Sequence, residues 1–153
     1  MKPLMLAALC ALSFGAMAEP APVATNEPIK IEVYRSPSCS CCGKWLGHLA
    51  QNHFQIKDNV TENVQAMKDK LGVPANLASC HTAVVNGYVI EGHVPAEDIR
   101  KLLKLKPNVV GIAVPEMPVG TPGMEMGGKK DAYDVMSFDK AQHFQVFTHH
   151  EDK

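Results

Sequence analysis

Ile29-Lys30-Ile31-Glu32-Val33-Tyr34-Arg35-Ser36-Pro37-Ser38-Cys39-Ser40-Cys41-Cys42-Gly43-Lys44-Trp45-Leu46-Gly47-His48-Leu49 is the stretch on which the fold turns. Ile29, Ile31 and Val33 alternate with polar residues, the period of a half-buried strand. Ser36-Pro37-Ser38 ends that strand, and between Gly43 and Asn52 the side chains of Trp45, Leu46 and Leu49 share one side at helical spacing. Cys39, Cys41 and Cys42 therefore sit at a strand-to-helix junction. Unpaired backbone N–H groups at a helix amino terminus favour a thiolate and lower its pKa from about 8.5 toward roughly 3.5–7.5. One helical turn brings Cys39 and Cys42 together in C-x-x-C spacing. Adjacent Cys41 and Cys42 bridge each other only with strain.

Working outward, Phe54 to Val60 reads as a second strand, and Asn59 with Glu62 three residues on resembles a capping box. A helix follows with Val64, Met67 and Leu71 at helical spacing, stopped by Gly72 and Pro74. Thr82 to Val85, then Asn86-Gly87, then Tyr88 to Ile90 is a two-residue hairpin, because Asn-Gly accepts positive φ. Pro95 opens a last helix with Glu97 and Asp98 in its first turn, Ile99, Leu102 and Leu103 inward, and lysines toward its end. The order strand, helix, strand, helix, strand, strand, helix predicts an α/β fold, a thioredoxin-like sheet flanked by helices. A right-handed crossover puts the cysteine turn at the carboxyl edge of that sheet, where α/β sites lie.

The ends are of different character. Met1-Lys2-Pro3, the apolar run Leu4 to Phe14 and Ala16-Met17-Ala18 form a secretory signal peptide, cleaved after Ala18. Removing 18 of the 153 residues leaves 135, enough for one domain with an appendage. Residues 19–28 read as a flexible leader, 29–107 as the thioredoxin-like domain and 108–153 as a carboxyl-terminal extension packing on it. Residues 115–128 of that extension are rich in Pro, Gly and Met and irregular, and a hairpin is expected around Val135 and Phe144 to Phe147. No later segment has the roughly 20 apolar residues of a transmembrane helix. The mature chain carries 14 basic against 16 acidic residues and no basic stripe, which excludes nucleic acid as a partner. Absence of P-loop, dinucleotide and serine-nucleophile motifs removes those chemistries.

Cys80 precedes the third strand, and in a thioredoxin-like arrangement its loop packs against the first helix's amino terminus, adding a fourth thiol. Convergent thiolates suit soft ions, Cu(I) or Zn(II). Three sulfurs within four residues favour bridged Cu(I) over the separated pairs usual for zinc. Other readings of the same residues are a structural disulfide from Cys39 or Cys42 to Cys80, two disulfides, or a periplasmic thiol-disulfide oxidoreductase using Cys39 and Cys42. His81 is a candidate additional ligand or support for Cys80, and Met117, Met124 and Met126 offer thioethers. His48 and His93 read as ordinary structural residues, and His149-His150 as a solvated tail.

The combination of Tyr34-Arg35-Ser36-Pro37-Ser38-Cys39-Ser40-Cys41-Cys42-Gly43-Lys44-Trp45, Ser79-Cys80-His81-Thr82, Gly92-His93-Val94-Pro95 and Pro118 to Met126 resembles the CopG-type periplasmic copper-resistance proteins. The resemblance spans about Ile31 to Gly127. It implies a thioredoxin-like fold, a periplasmic location, and association with other periplasmic copper-resistance proteins. It also implies copper held by Cys39, Cys41, Cys42 and Cys80. Copper or thiol redox turnover is not decided by these residues.

Overall fold

The computed structural model describes residues 27–152; the expected signal peptide and most of the expected leader lie outside them. Strands β1 (Ile29–Arg35) and β2 (Phe54–Val60) are parallel and joined by helix α1 (Ser40–Gln51). Helix α2 (Val64–Leu71) and a 3₁₀ turn (Ala75–Leu77) lead to the antiparallel hairpin β3 (His81–Val85) and β4 (Tyr88–Glu91). Helix α3 (Ala96–Leu105) precedes β5 (Gly111–Ala113), β6 (Tyr133–Phe138) and β7 (Phe144–His150). The sheet runs β2-β1-β3-β4-β5-β6-β7. The expected α/β class and thioredoxin-like order are present. Strand β5, too short to announce itself by alternation, pairs parallel with β4 and connects the β6–β7 hairpin to the same sheet. No helix of the described residues is long and apolar enough to cross a membrane.

Pairing register sorts the two faces. Val33, Ala83, Ile90 and Ile112 form one row across β1, β3, β4 and β5. All four are fully buried in the main core with Trp45 and Leu49 of α1 and Ile99 and Leu102 of α3. The alternate row, Tyr34, Thr82, Glu91 and Ala113, faces the other way. Asn86 and Gly87 both take positive φ, 46° and 85°, as the tight hairpin requires.

One local expectation is corrected and one is extended. The cap of α2 is Asn63, whose side chain accepts from Ala66 N–H at 3.2 Å, whereas the Asn59 amide donates to the Val33 carbonyl. Strand β2 continues through Val60, so a cap at Asn59 would have cost a ladder residue. On α2, Leu71 packs partly buried against the smaller core around Leu77 and Phe138, and Val64 and Lys68 are the buried side chains. A lysine is tolerated there because Glu91 meets it from β4.

Candidate metal centre

Antiparallel register decides the site. Arg35 at the end of β1 lies opposite His81 at the start of β3, so the segments leaving both strands meet at one edge of the sheet. Cys39 is the N-cap residue of α1, held by its N–H donating to the Ser36 carbonyl at 3.2 Å. Cys41 and Cys42 fall in the first helical turn. Cys39 and Cys42 are joined as a disulfide with Cα atoms 5.5 Å apart, and Cys41 and Cys80 are free thiols. The C-x-x-C pair is therefore the one that closes, in place of a bridge to Cys80. Among the described residues one disulfide, not two, is formed. Cys39 Sγ lies 3.5 Å from Cys41 Sγ, and the sulfurs of Cys39, Cys41, Cys42 and Cys80 all lie within 4.8 Å of one another.

Cys80 is the most elaborated of the four. His81 Nδ1 and His93 Nε2 each stand 3.1 Å from its sulfur. His93 Nδ1 lies 2.8 Å from the Pro122 carbonyl, which can only accept, so that nitrogen carries the proton and Nε2 presents a lone pair to the thiol. With the Cys80 proton directed at His93, His81 Nδ1–H donates to the sulfur. His81 Nε2 is buried away from solvent. The nearby Gly92 N–H is committed to the carbonyl of His81 at 3.0 Å. Both rings are fully buried, 5.0 Å apart edge-on, and Trp45 covers His81 at 4.3 Å. Burial lowers the pKa of both histidines, that of His81 well below its ordinary value.

Burial and, next, the proximity of Cys41 push the Cys80 thiol up to about 12. Cys80 is not part of α1, and it sits among neutral rings that do not favour a thiolate. The raised pKa has a direct consequence. At pH 8 Cys80 of the disulfide form should be alkylated by iodoacetamide on the order of 10³-fold more slowly than an ordinary thiol, its thiolate fraction being down by three pKa units. The rate should recover in urea. Reaction at the speed of a free cysteine at pH 8 would contradict this protonation state.

On the opposite sheet face, Glu91 Oε1 accepts from Ser79 N–H at 2.6 Å and pairs with the Lys68 ammonium. The two side chains are 0% and 5% exposed. Burial raises the Glu91 pKa against the pull of the ammonium. Through Ser79 this pair fixes the residue before Cys80.

The irregular segment between β5 and β6 closes the site from outside. Gly123, at φ 88°, lies so close to α1 that a β-carbon there would stand 2.8 Å from Trp45 N and 3.1 Å from Cys41 O. Gly123 N–H donates to the Glu125 carboxylate, and Thr121 Oγ1–H to the Pro118 carbonyl. Met124 follows this contact and is half-buried, while Met117 and Met126 are exposed.

The structure thus groups the four cysteines with His81 and adds His93, which its place in the chain did not single out. The signal for His93 was the hairpin register: Thr82 pairs with Glu91, so the residues just outside that pair, His81 and Gly92-His93, emerge together. His149 and His150 are not a solvated tail either. They end β7, and His150 Nε2 meets Asp98 Oδ2 at 2.7 Å.

The donor set of thiols and neutral imidazoles is soft to borderline, the character that selects copper or zinc over hard cations. A family model described as a protein of unknown function, DUF411, matches residues 77–124, the span from the Cys80 loop to Met124. No curated protein matches. A solved structure titled "Copper resistance protein copG- Form 2" superposes with a TM-score of 0.77 at 45% identity, covering 81% of this chain and 99% of that one. Its companion, "Copper resistance protein copG- Form 1", gives 0.77 and 46%, covering 82% and 99%. With that identity over most of its length, and with the cysteine cluster in place, the chain belongs to the CopG copper-resistance protein family.

Proposed function

We propose that this protein binds Cu(I) in the periplasm through the thiolates of Cys39, Cys41, Cys42 and Cys80, bridging more than one ion, and thereby buffers, transfers or changes the oxidation state of copper. The observation that carries this reading is the convergence of four sulfurs within 4.8 Å. Sulfurs so close suit Cu(I), which takes low coordination numbers and soft ligands. His93 Nε2 already points its lone pair at Cys80 and is available when that thiol loses its proton to a metal. Met124 is the best placed of the three candidate thioethers, since it adjoins the Gly123 contact with α1.

Use of all four sulfurs requires the Cys39–Cys42 disulfide to open. A dithiol reductant supplies two electrons and two protons, the S–S bond becomes two thiols, and the donor leaves as a disulfide. Export with cleavage after Ala18, a leader to residue 28, a domain over 29–107 and an extension over 108–153 belong to the same proposal. So does association with other periplasmic copper-resistance proteins.

The test is anaerobic Cu(I) titration of the reduced protein against a competing chelator. Cys41→Ser and Cys80→Ser are each expected to lower stoichiometry or to weaken affinity by at least about tenfold, since even supporting residues around a metal are worth 10–100-fold. Unchanged binding in both variants would rule out the shared site.

A second reading, a periplasmic thiol-disulfide oxidoreductase, is favoured by the Cys39–Cys42 disulfide at the start of α1. It predicts copper-free turnover that needs Cys39 and Cys42 and is indifferent to Cys41→Ser.

A further inference from the structure

We infer a second metal site, made of Glu97, Asp98 and His150, that takes a divalent cation preferring nitrogen and oxygen ligands, Cu(II) ahead of Zn(II), and shares no ligand with the sulfur cluster. One donor atom from each residue lies within 4.8 Å of the others. The set is one imidazole and two carboxylates with no sulfur. Such a set suits Cu(II) and Zn(II) and offers Cu(I) little, and the Irving–Williams order places Cu(II) first.

Two of the three ligands are already positioned. Asp98 is 2% exposed in the first turn of α3, and His150 Nε2 lies 2.7 Å from its Oδ2. The His150 ring stacks on Tyr133, its partner across the β6–β7 ladder, with centroids 4.6 Å apart and planes 11° from parallel. Glu97 is the exposed third arm, free to adjust to metal–ligand bonds of roughly 2.0–2.2 Å. Both carboxylates lie at a helix amino terminus, where the dipole favours their ionised, ligating form.

A cavity of about 530 Å³ adjoins the cluster, lined among others by His48, Glu97, Tyr133, His149 and His150, so water can complete the coordination of an ion. Lys130 also lines it and is the cation a bound ion would face. His149 is engaged elsewhere, with Nδ1 2.7 Å from Asp134 Oδ1.

The inference does not depend on the Cu(I) reading. It is tested on the protein with the Cys39–Cys42 disulfide intact and the two free thiols removed by Cys41→Ser and Cys80→Ser. Cu(II) is titrated by equilibrium dialysis and followed by electron paramagnetic resonance, with Zn(II) as the competitor.

One Cu(II) with coupling to an imidazole nitrogen is expected at this site. His150→Gln should remove that coupling and weaken binding at least about 100-fold, the upper range for losing a mere supporting residue. Glu97→Gln, on an exposed side chain, should weaken it about tenfold with the circular dichroism unchanged. His149→Gln should do neither. Retention of the wild-type spectrum and affinity by His150→Gln and Glu97→Gln overturns the site, as does loss of the nitrogen coupling in His149→Gln alone. Cu(I) binding to the reduced protein, measured in parallel, is expected to be unchanged by Glu97→Gln and His150→Gln. Failure here is thereby distinguished from failure of the Cu(I) reading.

Discussion

Replacing Glu91 with Ala should cost the protein about 3–5 kcal/mol of stability, because it leaves the Lys68 ammonium buried without its counter-charge. The pair is almost wholly shielded from water. Such a pair adds little net stability over apolar residues of the same volume, yet breaking it from one side is expensive. Urea denaturation of Glu91→Ala, Lys68→Met and the double variant Glu91→Leu/Lys68→Met separates the two effects. The double variant should recover most of the lost stability. It should not recover the bond from Ser79 N–H, and so the placement of Cys80 should stay impaired, seen as weaker Cu(I) binding and faster Cys80 alkylation. A loss below about 1 kcal/mol in Glu91→Ala would show that Lys68 finds water or another partner.

Gly123→Ala is expected to be the most damaging single-methyl change near the site, at about 2–5 kcal/mol, combining a left-handed backbone cost of about 1–2 with overpacking of about 1–3. The added carbon would press on Trp45 N and Cys41 O, backbone atoms four residues apart near the start of α1. Neither atom is a flexible side-chain end. Relief therefore requires the segment to lift from the helix, which withdraws the Pro122 carbonyl from His93 and frees that ring to turn. Denaturation midpoints report the stability loss, and the rate of Cys80 alkylation reports the loosened imidazole. Gly128→Ala, in open space at an ordinary φ, is the control and should be neutral. A Gly123→Ala protein as stable as that control would mean that the 115–128 segment does not seal the cysteine turn.

Much of this arrangement was legible before the fold. Alternation placed β1, Asn86-Gly87 placed the β3–β4 turn, and Pro95 with Glu97 and Asp98 placed the start of α3. These are local signals, set by turn chemistry, dipole and periodicity within a few residues. The cysteine turn was legible for the same reason, since three of its thiols lie within four positions. Strand β5 and the cap at Asn63 were missed because one is three residues long and the other competes with a neighbouring Asn-x-x-Glu pattern.

The sequence by itself determined an α/β chain with a cysteine cluster at the first strand-to-helix turn, together with its resemblance to copper-resistance proteins. Only the tertiary structure decided which sulfurs join, Cys39 with Cys42, and that the Cys80 sulfur lies between His81 and His93. It alone brought His150 to Asp98 across 52 positions. The physical reason is common to all three. Proton affinity, disulfide partner and ligand distance depend on burial and on neighbours supplied by strand register, and register is a property of the whole sheet rather than of any local run of residues.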